Sequence, residues 1–325
     1  MNTFFSRRQF FALAATLLIG TLLCAGCSRA GDNVAAARGG GGDLAGRKIK
    51  VTATIGMIAD AVKNVGGERV QVTGLMGPGV DPHLYKPTPG DVQALNEADI
   101  IFYGGLELEG RMTDIFVKVA RTGKTTIAVS EKIEKNQLRE PPEFHGKFDP
   151  HIWFDVILWK RAVETIRDTL TERDPNHRAV YEKNAAAYLD KLDDLSAYVQ
   201  TAIGKIPKEQ RVLITAHDAF GYFGDRYGME VRGLQGTSTA AEAGVGDVQN
   251  LSQFIADRKI KAIFVESSVP KTTIEAVQKA VEARGFAVSI GGQLYSDAMG
   301  PEGTAAGTYI GMVRHNVDTI VEALT

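Results

Sequence analysis

From Lys48 onward, short apolar runs rich in β-branched residues alternate with stretches in which apolar residues recur every three or four positions. The first pattern marks buried strands and the second marks amphipathic helices. Strands are predicted over 49–55, 69–75, 100–103 and 126–129, with helices over 57–65, 89–97 and 114–120 between them. Thr88 suits the N-cap of the second helix, Pro89 its first turn, and Asp91 completes a capping-box arrangement. The second half repeats the scheme, with strands over 211–215, 230–233, 262–266 and 287–290 and helices over 248–258 and 272–284. A strand-helix succession of this kind predicts an α/β fold, here two similar lobes with parallel, mainly four-stranded sheets flanked by helices.

Between the halves, residues 176–203 contain neither glycine nor proline. Tyr181, Ala185, Tyr188, Leu192, Leu195, Val199 and Ala202 are spaced alternately four and three, which places them on one helix face. At 1.5 Å per residue such a helix reaches roughly 40 Å, enough to run along both lobes. The same stripe could form a coiled-coil seam, but it offers only a few heptads.

Length supports the two-lobe reading, because 325 residues exceed what one hydrophobic core usually serves. With 44% apolar and 23% charged residues and a formal net charge of -2, the chain shows no basic patch and no case for nucleic acid. Cys24 and Cys27, both near the N-terminus, are its two cysteines, so a metal held by the folded part must take nitrogen and oxygen ligands.

The N-terminus reads as an export signal, with Arg7-Arg8 followed by an apolar stretch from Phe10 to Leu23. Ser6-Arg7-Arg8-Gln9-Phe10-Phe11 is compatible with the twin-arginine route, and paired arginines also occur in Sec signals. Leu23-Cys24-Ala25-Gly26-Cys27 resembles a bacterial lipobox, with Cys24 where leucine is usual. Cys27 is then the lipidated residue that anchors the mature protein; a soluble exported protein cleaved nearby is the alternative. Residues 28–46, rich in Gly and Ala, suit a flexible tether. The expected division is a signal peptide over 1–27, a tether over 28–46, an N-terminal lobe over 47–172, a linking helix over 173–206 and a C-terminal lobe over 207–325.

Of six histidines, His83, His151 and His217 fall where a strand or loop gives way to a helix, and Asp297 occupies a comparable place after the last predicted strand. Ligands of open α/β sheets gather at the carboxyl ends of strands. Pro82 and Pro150 fix the backbone in front of two of these histidines. His83 and His151 precede the long helix while His217 and Asp297 follow it, so a site using all four lies between the lobes. Three imidazoles and one carboxylate suit zinc, manganese or neighbouring first-row ions, Fe2+ included, better than calcium or magnesium. They also predict an affinity that falls as pH drops through about 6.5. His145, His177 and His315 read as solvated or packed. Glu266, Glu242 and Asp218 are candidates to support the site from outside.

The segments around Gly79-Val80-Asp81-Pro82-His83, Asp149-Pro150-His151-Ile152-Trp153, Thr215-Ala216-His217-Asp218-Ala219-Phe220-Gly221 and Gly291-Gly292-Gln293-Leu294-Tyr295-Ser296-Asp297 resemble the four ligand-bearing motifs of the cluster A-I, or TroA-like, metal-binding proteins of ABC importers. The resemblance runs from about Lys48 to the C-terminus. It implies metal ligation by His83, His151, His217 and Asp297, a rigid linking helix, and a likeness to monomeric proteins on the periplasmic side of the membrane that serve a permease with its cytoplasmic ATPase. The histidine-rich loop of zinc-selective relatives is missing, since residues 134–148 offer His145 with Glu134, Glu140 and Glu143. That, with the match around His217-Asp218-Ala219-Phe220-Gly221, favours the broader manganese/zinc group over a dedicated zinc importer, and a dedicated zinc or iron importer is the alternative.

Two other function classes fit the sequence less well. A zinc hydrolase usually leaves one metal position open, whereas four protein ligands close it, and neither H-E-x-x-H nor G-x-S-x-G occurs. Adhesion, an added role of some relatives, stays open but gives no account of the His/Asp set.

Overall fold

The computed structural model describes residues 44 and 46–325; the expected signal peptide, lipobox and nearly all of the tether lie outside the described residues. The N-terminal sheet contains β1 (Ile49–Ala53), β2 (Val70–Gly74), β3 (Ile100–Tyr103) and β4 (Thr125–Ala128), all parallel in the order β2-β1-β3-β4. Its crossovers include α1 (Gly56–Gly66), α2 (Pro89–Glu97) and α3 (Thr113–Arg121). The capping box at α2 forms as the sequence suggests: Thr88 Oγ1 accepts from the Asp91 amide, and Asp91 accepts from the Thr88 amide. β1 and β3 are almost wholly buried, which is why they read as apolar runs.

Helix α4 (Val156–Arg173) is N-capped by Asp155, whose carboxylate accepts from the Ile157 and Leu158 amides. A short 3-10 turn at Pro175–His177 then leads into α5 (Arg178–Ile203), 26 residues long or roughly 39 Å at helical rise. All seven residues of the predicted stripe are buried. They face α1 and α4 on one side of the molecule and α9 (Tyr309–Leu324), the C-terminal helix, on the other. The resulting core is continuous from the N-terminal sheet through Tyr181 and Leu192 to Phe220, Phe264 and Tyr309. A smaller apolar cluster fills the outer side of the second lobe.

In that lobe β5 (Val212–His217) pairs with β6 (Glu230–Gln235), and β7 (Ala262–Glu266) pairs with β8 (Ser289–Leu294), both in parallel. β5 and β7 run side by side, but the lobe carries two two-stranded ladders where one four-stranded sheet was expected. Helices α6 (Gly221–Tyr227), α7 (Val245–Arg258) and α8 (Lys271–Glu282) complete it. β8 begins and ends later than the pattern indicates, because Gly291-Gly292 lies inside the strand. A Cβ on Gly291 would stand 2.6 Å from Ala323 Cβ and 2.8 Å from Phe264 Cε1, and one on Gly292 would stand 2.5 Å from Thr319 Cγ2. The two glycines therefore seat α9 against the sheet, and Gly292, at φ 144°, marks an irregular register.

Candidate metal centre

Each candidate ligand stands at the end or just beyond the end of a strand or loop, at the sheet edges that face the cleft. Asp81-Pro82-His83 and Asp149-Pro150-His151 use one local device twice. In each, the aspartate Oδ1 accepts the amide N–H of the histidine two residues on, at 2.8 Å and 2.9 Å respectively, while proline fixes the intervening backbone. The two copies then diverge. Asp149 Oδ1 also lies 2.8 Å from its own histidine's Nδ1, so it orients the His151 ring. Asp81 instead accepts from Thr239 Oγ1 at 2.6 Å, across to the second lobe.

His217 closes β5. Gly233 on β6 makes room for it: a Cβ there would come within 2.3 Å of the Asp218 amide and 2.5 Å of the His217 carbonyl carbon. Glu266, at the end of β7, accepts the His217 amide at 2.9 Å through Oε1. Its Oε2 lies 2.6 Å from His217 Nδ1 but out of line for a hydrogen bond. Asp297 follows β8 by three residues, not seven as the predicted strand end implied. Ser268 Oγ donates to its Oδ2 at 3.2 Å.

These four side chains converge. His83 Nε2 and His151 Nε2 are 3.3 Å apart, His151 Nε2 and Asp297 Oδ1 3.3 Å, and His217 Nε2 and Asp297 Oδ2 3.4 Å. One donor atom from each lies within 4.8 Å of the others, and all four residues are buried, His83 being the most exposed at 5%. A tetrahedral ion with bonds of about 2.0–2.1 Å has edges of about 3.3 Å, so these spacings suit a shared central cation. The polar accounting agrees. His217 Nε2 and Asp297 Oδ1, both among the closely spaced donor atoms, are buried without a hydrogen-bond partner, a costly arrangement that a bound cation would relieve.

Electrostatics divide the histidines into two kinds. Burial drives His83 down to about 3, with His151 and His217 adding to the effect, so its ring is neutral. Burial also pulls on His151, but its hydrogen bonds to Asp149 and Asp297 prevail and leave it raised to about 9. Burial likewise opposes a charged His217, and the nearby Glu266 and Asp297 outweigh it, leaving the ring well above its ordinary value. Although burial works against its charge, Asp297 is held well below the usual carboxylate range by His217 and His151. Asp218 is pushed up to about 6, chiefly by burial and then by Asp149.

The remaining candidates stand apart from this cluster. His145 is exposed on a left-handed turn, His177 faces Asp174 at 2.9 Å, and His315 meets the Gln293 carbonyl at 3.0 Å. Glu242 is exposed, and Asp218 packs behind the site. The supporting role suggested for Glu266 corresponds to its contact with His217, whereas the role of Asp149 was not read from the sequence. Its signal was available in the Asp-Pro-His spacing that Asp81 repeats.

A two-lobed α/β scaffold with ligand-type side chains from both lobes meeting in a buried cluster defines a class of cleft-binding proteins. Residues 51–323 match the family described as zinc-uptake complex component A, periplasmic, and the chain belongs to that family. It is 53% identical to the zinc-binding protein TroA of Treponema pallidum over 279 residues, 86% of this chain and 89% of that one. It is 47% identical to the manganese-binding lipoprotein MntA of Bacillus subtilis over 313 residues, 96% and 98% of the two chains. The solved structure of the periplasmic zinc-binding protein TroA superimposes with a TM-score of 0.83 at 52% identity, covering 86% of this chain and 99% of that chain.

Proposed function

We propose that this chain captures one divalent transition-metal ion, manganese or zinc with Fe2+ in the same ligand range, and delivers it to an ABC permease driven by a cytoplasmic ATPase. His83, His151 and His217 supply Nε2 and Asp297 its carboxylate. The observation that carries the reading is the set of 3.3–3.4 Å spacings among buried nitrogen and oxygen atoms of His83, His151, His217 and Asp297. Both oxygens of Asp297 face histidines of the cluster, so the set can serve a four-coordinate zinc or add a fifth donor for an ion that takes more ligands. Relatives named for zinc and for manganese support the pair of metals without separating them. We assign no catalytic step, because four protein donors leave a tetrahedral ion no open position for a reacting water.

The working division is a signal peptide over 1–27, a tether over 28–46, lobes over 47–172 and 207–325, and a linking segment over 173–206. Relatives named as lipoproteins support a place outside the cytoplasm with a lipid anchor at Cys27. Among the described residues no helix is long and apolar enough to cross a membrane. The protein acts as a monomer.

The deciding experiment is metal stoichiometry and affinity on the portion from Gly46 onward. One zinc or manganese per chain is expected, and alanine at His83, His151, His217 or Asp297 should cost more than the about 10–100-fold typical of losing an outer partner. Wild-type zinc affinity in His217→Ala would refute the site.

A further inference from the structure

Helix α6 begins four residues after His217, yet most of its polar side chains reach into the first lobe. Tyr222 Oη accepts the Arg139 amide at 3.0 Å and donates to the Asp149 carbonyl at 2.9 Å. Arg226 pairs with Asp155 at 2.7 Å. Arg139 Nη1 donates to the Gly221 carbonyl at 2.9 Å and meets Asp225 at 2.5 Å. The Arg139 carbonyl accepts the Asp149 amide at 2.9 Å, so residues 140–148 form a loop whose neck is spanned by Tyr222.

At that neck the Arg139 Nε faces Asp149 Oδ2 at 3.5 Å, both buried and neither hydrogen-bonded. The other oxygen of Asp149 orients His151. One carboxylate thus stands between a ligand-type histidine of the first lobe and a guanidinium fastened to the second. The fit is tight on the far side as well, since a Cβ on Gly221 would come within 2.6 Å of the guanidinium Cζ and Nε.

Resting on the metal-capture reading above, we infer that Arg139 is a positioning residue for cargo retention: seated on Gly221, it brackets Asp149 to α6 and thereby holds His151 at its working distance from His217. The ring centroids of those two histidines lie 5.3 Å apart. Among the described residues the ion pairs of Asp149 are with His151 and Arg139, so no other cation can take over the second oxygen without rearrangement. The role is distinct from ligation, because Arg139 touches no candidate ligand directly.

Zinc release from the loaded full-length protein into a chromophoric chelator tests this by a double-mutant cycle of Arg139→Ala and Gly221→Ala. Arg139→Ala should speed release about 10-fold or more, the scale of losing an outer partner of a ligand. Gly221→Ala keeps every charge and, by propensity alone, favours the helix, yet it displaces the guanidinium and should accelerate release to a similar degree. Because both act on one contact, the double variant should release no faster than Arg139→Ala. Multiplying effects, or wild-type release in a folded Arg139→Ala protein, would overturn the bracket while leaving metal capture intact. A wild-type chain that takes up no zinc would overturn both. Arg139→Lys, which keeps the charge but not the fork, should restore less than the full retention.

Discussion

Trp153 Nε1 donates to the Ser296 carbonyl at 3.0 Å, joining the residue two after His151 to the residue just before Asp297. The Trp153 carbonyl in turn accepts from Tyr309 Oη at 2.7 Å, at the start of the C-terminal helix. Phe154 stacks on Phe220 with centroids 4.2 Å apart. Contacts between the lobes at the site therefore include directional hydrogen bonds and aromatic stacking that do not use the ligand-type side chains.

Trp153→Phe keeps most of the packing but leaves the buried Ser296 carbonyl without this donor, which should cost about 1–3 kcal/mol in chelator-treated protein by denaturant melts. The wild-type protein, with its continuous core and α5 along both lobes, should give nearly superimposable scattering profiles with and without metal. A domain closure of tens of degrees would contradict this arrangement of contacts.

Location follows from a different part of the chain. Cys27→Ser should move the protein from membranes to the soluble exported fraction without altering metal affinity. Wild-type protein found wholly in the soluble fraction would remove the anchor.

The parts of the fold that can be read in the sequence are those that one element decides alone. β3 and β7 are buried on both sides and appear as apolar runs with correct ends, and the stripe on α5 is visible because a helix face needs no partner to define it. The pattern ends β8 early because its glycines serve a close approach by α9, a fact about a distant helix. α6 has seven residues and two glycines, and Gly224 is required because a Cβ would meet the Met229 carbonyl oxygen at 2.7 Å. The same distinction holds at the site. Pro-His pairs and strand ends point to His83, His151, His217 and Asp297, whereas Arg139 with Gly221, and Asp81 with Thr239, pair across 82 and 158 residues and leave no local trace.

Protonation gives the last prediction. A ligating imidazole must be neutral at the coordinating nitrogen, and His83 already is, having been driven down to about 3 by burial. His151, raised to about 9 against the pull of burial by Asp149 and Asp297, carries a proton at pH 7, and His217 is raised as well. Capture must expel those protons, so the sign is fixed: affinity strengthens as pH rises through the neutral range toward about 9 and weakens as pH falls. This moves the window above the value of about 6.5 expected from unperturbed histidines. Each proton expelled makes apparent affinity about tenfold stronger per pH unit. Calorimetry of zinc binding at pH 7 in buffers of different ionisation enthalpy should show release of one or more protons per ion. Heats independent of buffer would show that His151 does not carry an extra proton on Nε2 at pH 7.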